Sequence, residues 1–153
     1  SFGCSTVRLF GSSKGDVVGV ERFEDLKSWQ EARRLVQMVY QLTKKETFIH
    51  DRALSWQVQD AAVSSMGNIA ESHGRYSFED KRRFLDISLG SCKEVQSHLY
   101  VAMDQAYVTK EEFDEAQRQD ELVAQLISGS VQNLDRQISS RSLTRSGPRK
   151  RRP

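Results

Sequence analysis

Three histidines, two cysteines and a band of arginines are the side chains of this 153-residue chain whose types could do chemistry. Histidines at suitable spacing bind a metal or move protons near neutral pH. A di-iron centre in a helical bundle needs Glu from two helices and Glu-x-x-His from two others. Here Glu94 and His98 stand four apart and Glu71 and His73 two apart, Glu-x-x-His is absent, and His50, His73 and His98 are scattered with no metal-ligand spacing. No glycine loop that could cradle a phosphate and no nucleophile elbow occurs either. The expectation is a protein that is not an enzyme and uses no cofactor or metal. Cys4 and Cys92 are too few for a disulfide framework, and Cys92 falls on an apolar helical stripe, which predicts a buried thiol in a reducing compartment.

The arginines carry the remaining chemistry, which is recognition of phosphate. Seven of the 23 Lys/Arg lie from Arg136 onward with no acid among them, leaving 16 against 21 Asp/Glu in the rest. The net charge of +2 thus conceals an acidic body and a basic end. Residues 139–153 are too polar and charged to fold alone, and Arg141, Arg145, Arg149, Lys150, Arg151 and Arg152 can bridge phosphates or stack on bases. A solubilising tail is the plainer alternative. A second cluster, Arg75, Lys81, Arg82 and Arg83, stands at one interhelical junction, and Arg75, Lys81 and Arg82 are taken as candidate contacts there. Ordinary ion pairing competes with that role, since Glu79–Arg83 and Arg82–Asp86 are both spaced four apart.

Four amphipathic helices must position these groups. The first is expected from Asp25 to Lys45 with Asp25 as its cap, the second from Asp51 to His73. Gly74 suits a left-handed residue closing the second helix. Ser77-Phe78-Glu79-Asp80 and Thr109-Lys110-Glu111-Glu112 read as capping boxes opening the third and fourth. The stripe Val58, Ala62, Met66, Ile69, His73 marks the inner face of the second helix, and Phe84, Ser88, Cys92, Val95, Leu99, Ala102, Ala106 that of the third. The fourth runs through Phe113, Ala116, Val123, Ile127, Val131, Leu134 and Ile138. Short connections make sequential helices antiparallel neighbours, so the predicted fold is all-α, an up-down antiparallel four-helix bundle over residues 23–138. Residues 1–22, with four of the nine glycines, form an N-terminal extension that is flexible or a small hairpin (Thr6–Phe10 with Val17–Phe23), and residues 139–153 a disordered basic tail. No run reaches the ~18 apolar residues of a membrane span and no signal-peptide pattern opens the chain, so no membrane partner and a cytoplasmic location are expected.

The first helix carries apolar residues over an arc of roughly 200°, against the ~100° of an ordinary core-facing helix. If Trp29, Val36, Val39 and Tyr40 fill the bundle, Leu35, Met38 and Leu42 form a flank that needs another cover, and Leu122 and Leu126 repeat this weakly on the fourth helix. Self-association through these five residues is the favoured reading; a thick core covered by the N-terminal segment is the alternative. Gly67 and Gly90 fall inside helices, which predicts close helix approach. Asn68 and Glu71, three apart, predict a buried hydrogen-bond network at the second corner or a polar contact with a neighbouring subunit.

Several short pieces together carry a family resemblance: Phe23-Glu24-Asp25-Leu26 with Trp29-Gln30, Ala61-Ala62-Val63-Ser64, Asn68-Ile69-Ala70-Glu71, Gly74-Arg75, and Arg83-Phe84-Leu85 leading to Leu89-Gly90-Ser91. Over residues 23–138 the chain resembles the four helix bundle protein family, first noticed as reading frames in intervening sequences of bacterial 23S ribosomal RNA. The resemblance implies a four-helix protomer assembled into a homopentameric ring. A related protein, the accessory variability determinant of diversity-generating retroelements, binds a reverse transcriptase and nucleic acid. The chain departs from the family pattern at Ser65-Met66-Gly67, Ser72 and Cys92-Lys93. The expected function is therefore an oligomeric adaptor for RNA or DNA, the accessory protein of a reverse transcriptase in its most specific form. The alternative is a protein-interaction scaffold with no nucleic-acid role.

Overall fold

The computed structural model describes residues 20–145. After a 3-10 turn at Phe23–Asp25, α1 spans Lys27–Thr43, α2 Arg52–His73, α3 Phe78–Asp104 and α4 Lys110–Arg145. Each helix packs on its chain neighbours, and α4 closes back on α1, giving a four-helix bundle with no strand among the described residues. The hairpin expected in residues 1–22 lies outside the described residues except at its last positions, where Phe23 enters the turn.

Three helix starts follow from local chemistry. The Asp51 carboxylate accepts the Leu54 N–H at 3.0 Å, and the Ser77 hydroxyl accepts the Asp80 N–H at 3.0 Å. At α4 the box is reciprocal, with Glu112 N–H to Thr109 Oγ1 at 3.2 Å and Thr109 N–H to Glu112 Oε2 at 2.8 Å. Asp25 does not cap α1. The 3-10 turn takes it up, Phe23 meets Trp29 edge-on at 5.2 Å, and Leu26 occupies the cap position with no side-chain acceptor. Gly74 has φ −76°, so the left-handed geometry expected there is not used. Among the described non-glycine residues the left-handed one is Ala106, φ 57°, which lies beyond the end of α3 and is exposed rather than on the core stripe.

The core runs the length of the bundle, through Leu35, Val58, Ile69, Leu99, Ile127 and Leu134, each at most 1% exposed. Each such side chain contributes about 1.5–3 kcal/mol by leaving water. Between α2 and α3 the contact is made by small polar groups: Ser88 Oγ donates to the Ser65 carbonyl at 2.7 Å, Ser65 Oγ lies 3.2 Å from Cys92 Sγ, and Ser64 meets Ser91 at 2.9 Å. Serines, not Gly67 and Gly90, bring these helices together. A Cβ placed on either glycine would meet nothing within 4 Å, because both face outward.

The flank assigned to α1 is also corrected. Leu35 and Leu42 are buried inside the protomer and Met38 is half-buried against the core, so they are not a free surface. The reason is the closed arrangement. A bundle helix touches two neighbours, and α4 covers this flank, with Gln119 reaching the Glu31 carbonyl at 2.9 Å. Leu126 is half-buried and Leu122 is exposed. Tyr40, expected inside, faces solvent, as do Trp56 and Tyr100.

Candidate nucleic-acid interface

Antiparallel packing brings the C-terminal half of α4 beside the start of α3. Arg82 Nε reaches Asp135 Oδ1 at 2.5 Å and the Arg141 guanidinium lies 4.0 Å above the Phe78 ring. Because α4 stays helical to Arg145 instead of ending at Ile138, Arg141 and Arg145 are helix residues and not part of a free tail. Arg149, Lys150, Arg151 and Arg152 lie outside the described residues. One end of the bundle thus gathers Arg75, Lys81, Arg82 and Arg83 from the α2–α3 corner with Arg136 and Arg141 from α4.

These cations are not equivalent. Arg82 is held by two carboxylates, Asp135 and Asp86, each at 2.5 Å, which keep its guanidinium charged and make it a strap between α3 and α4. Arg75 pairs with Glu71 and sits 4.4 Å over the Phe84 ring. The expected Glu79–Arg83 pair does not form, and Arg83 is exposed beside Phe84 with its charge uncommitted among the described residues. Lys81 and Arg136 likewise make no ion pair there; Arg136 Nε donates to the Gln132 carbonyl at 3.3 Å. Three charges are therefore open to an incoming polyanion, whereas Arg82 would first have to leave two partners. Arg83 belongs to the corner cluster legible in the sequence, whereas Arg136 joins that cluster only through the return of α4.

Asn68 and Glu71 do not form the expected corner network. Asn68 Nδ2 donates to the Ser64 carbonyl one turn back at 2.8 Å, and Glu71 is exposed with Arg75. The buried acids lie elsewhere and sequence reading passed over both. Glu31, only 2% exposed, accepts from Lys27 at 2.5 Å and Gln119 at 3.0 Å, and the Lys27 bond holds its carboxyl below the usual range. Asp120, fully buried on α4, accepts from Gln96 Nε2 at 2.6 Å, while its Oδ1 has no partner among the described residues. Burial pushes the Asp120 carboxyl up to about 7, and burial followed by the Asp120 charge pushes the Cys92 thiol up to about 12. Such a thiol is not a nucleophile at neutral pH. Both acids occupy core spacings, Glu31 four before Leu35 and Asp120 between Ala116 and Val123, and that spacing was the signal.

His73 Nε2 lies 2.9 Å from the Val20 carbonyl, and no group of His, Cys, Asp or Glu that could hold a metal occurs among the described residues. No helix there is long and apolar enough to cross a membrane.

The fold and this end together define a small helical bundle with a cationic pole. Residues 24–129 match the 23S rRNA-intervening sequence protein family, and the chain belongs to that family. It is similar to a crystal structure from Bacteroides thetaiotaomicron VPI-5482, described as a protein of unknown function from the S23 ribosomal protein family. The TM-score is 0.60 at 22% identity, covering 71% of this chain and 97% of that one. No curated protein matches the chain.

Proposed function

We propose that this chain is a non-enzymatic, self-associating adaptor that binds RNA or DNA through the cationic pole. The observation that carries the reading is the return of α4, which sets Asp135 on Arg82 and Arg141 over Phe78 and so brings the Arg136 turn to the corner that bears Lys81 and Arg83. Phosphates neutralised at one pole release counterions together, so affinity should be strongly salt-dependent. For self-association the flank of α1 is replaced by the apolar groups that do face solvent, Tyr40, Trp56 and Leu122. The family resemblance extends the proposal to a five-fold ring and a reverse-transcriptase partner, with template RNA held between them.

The test is binding of a fluorescent 20-nucleotide RNA to the full chain between 50 and 200 mM NaCl. A linear fall of log affinity with log salt is expected, and removing residues 146–153, with four charges, should reduce its slope by about 3. Absence of binding at 50 mM NaCl would favour the second reading, a protein-interaction scaffold, for which solvent-facing Trp56 and Tyr100 are the supporting observation.

A further inference from the structure

At the same pole, the start of α1 opens onto a cavity of about 70 Å³ whose wall includes Leu26, Ser28, Ser72, His73, Lys81 and Ser130. The first intrahelical bond of α1 is Gln30 N–H to the Leu26 carbonyl, so the amides of Lys27, Ser28 and Trp29 precede the ladder, and no side chain caps them. An uncapped helix start presents free N–H donors and positive potential, the arrangement that suits an anion.

A second observation is independent of the helix end. Ser28 is 5% exposed, lines the cavity, and its hydroxyl has no hydrogen-bond partner among the described residues. Its oxygen is reached through the cavity and is not sealed off, so the hydroxyl is available to whatever occupies that space. The two other buried serines in the wall have spent their protons, Ser72 on the Lys81 carbonyl at 2.9 Å and Ser130 on the Leu126 carbonyl at 3.2 Å. Ser28 is thus the hydroxyl still able to donate. The wall holds no carboxylate, and its two titratable groups, Lys81 and His73, are both basic. Glu24, which His73 influences, is committed to Arg22 at 2.8 Å. Volume limits the ligand: the space corresponds to roughly five water positions, enough for one tetrahedral oxyanion and far below a nucleoside or drug-sized pocket.

We infer that this cavity is a seat for a single phosphate group, held by the α1 amides, the Ser28 hydroxyl and the Lys81 ammonium. The inference does not depend on the proposed nucleic-acid role. A free phosphate ion and the 5′-phosphate of a nucleotide present the same chemistry to these donors.

The experiment is an amide NMR titration of the full chain with inorganic phosphate, and separately with uridine 5′-monophosphate and uridine, at constant ionic strength. Saturable shifts of the Ser28 and Trp29 amides are expected, with Ser28→Ala weakening binding about 5-fold and Lys81→Gln about 10-fold. Lys93→Gln, remote from the cavity, should leave it unchanged. Saturation by inorganic phosphate alone identifies the free ion as the ligand; saturation by the monophosphate but not by uridine identifies a nucleotide phosphate, and either supports the seat. No saturable shift with either phosphate at 20 mM, or shifts that survive both variants, would overturn it. Because Ser28→Ala removes one hydroxyl and leaves the helix intact, folded but non-binding protein remains a readable result.

Discussion

The two ends of the bundle are built differently. At the end that holds the α1–α2 and α3–α4 connections, Phe48 stacks on Tyr107 at 5.1 Å, Thr47 Oγ1 donates to the Tyr107 carbonyl at 2.8 Å, and Lys45 pairs with Glu112 at 2.5 Å. Two loops are tied to each other by these contacts, and the one sealed hydroxyl without a partner among the described residues here is Ser55 Oγ in the first turn of α2. At the other end the α2–α3 corner is crowded with cations, α1 starts uncapped, and a small cavity penetrates between the helices. The first end closes on itself through its two loops. At the second the fold leaves donors and positive charge over, and leftover donors are what a ligand can use.

The largest expected effect tests the tied end. Phe48 is 1% exposed, and Phe48→Ala should cost about 3 kcal/mol in urea unfolding, by lost burial and a cavity under two loops. A cost below 1 kcal/mol would mean this end is no better fastened than the other.

Next comes Asp120, between the two ends. Burial raises its carboxyl from 3.8 to about 7, so the native state keeps a proton that the unfolded chain releases. Its contribution is full below pH 4, is lost as pH rises toward 7, and changes little above that. The displacement sets a ceiling of about 4 kcal/mol, and relaxation with water penetration should reduce it to about 2. Asp120→Asn should therefore exceed the parent's stability by about 2 kcal/mol at pH 8, with the gap closing toward pH 4. A gap that is flat with pH would show that Asp120 titrates as an ordinary carboxylate.

The smallest effect is at Ala106, whose φ of 57° lies at the tied end. An alanine in left-handed geometry costs about 1–2 kcal/mol. Ala106→Gly relieves it but loosens the unfolded chain, so thermal unfolding should report a gain of about 0.5–1 kcal/mol. A loss would mean that contacts hold the residue there without strain.

Sequence made the helices and three of their starts legible because those signals are local: Asp51, Ser77 and Thr109 bond to groups three residues away. The flank of α1 was misread because a helical wheel counts apolar residues but not how many neighbours a helix has; Leu35 and Leu42 face inside once α4 closes the bundle. The cationic pole was visible only as two separate runs. Joining them requires α4 to bring Asp135 back to Arg82, 53 positions apart. Spacing alone likewise could not tell that Arg82 would be claimed by two acids while Arg83 stayed open.

The most direct test sets the two ends against each other with equal charge removed. Lys81, Arg83 and Arg136 changed together to Gln should weaken RNA binding at 100 mM NaCl by at least 30-fold, since each lost phosphate contact is worth roughly a factor of three or more. Lys44, Arg52 and Lys110 changed together to Gln at the tied end should weaken it less than 3-fold. Equal losses from the two triples would contradict a cationic pole and reduce any binding to net charge alone.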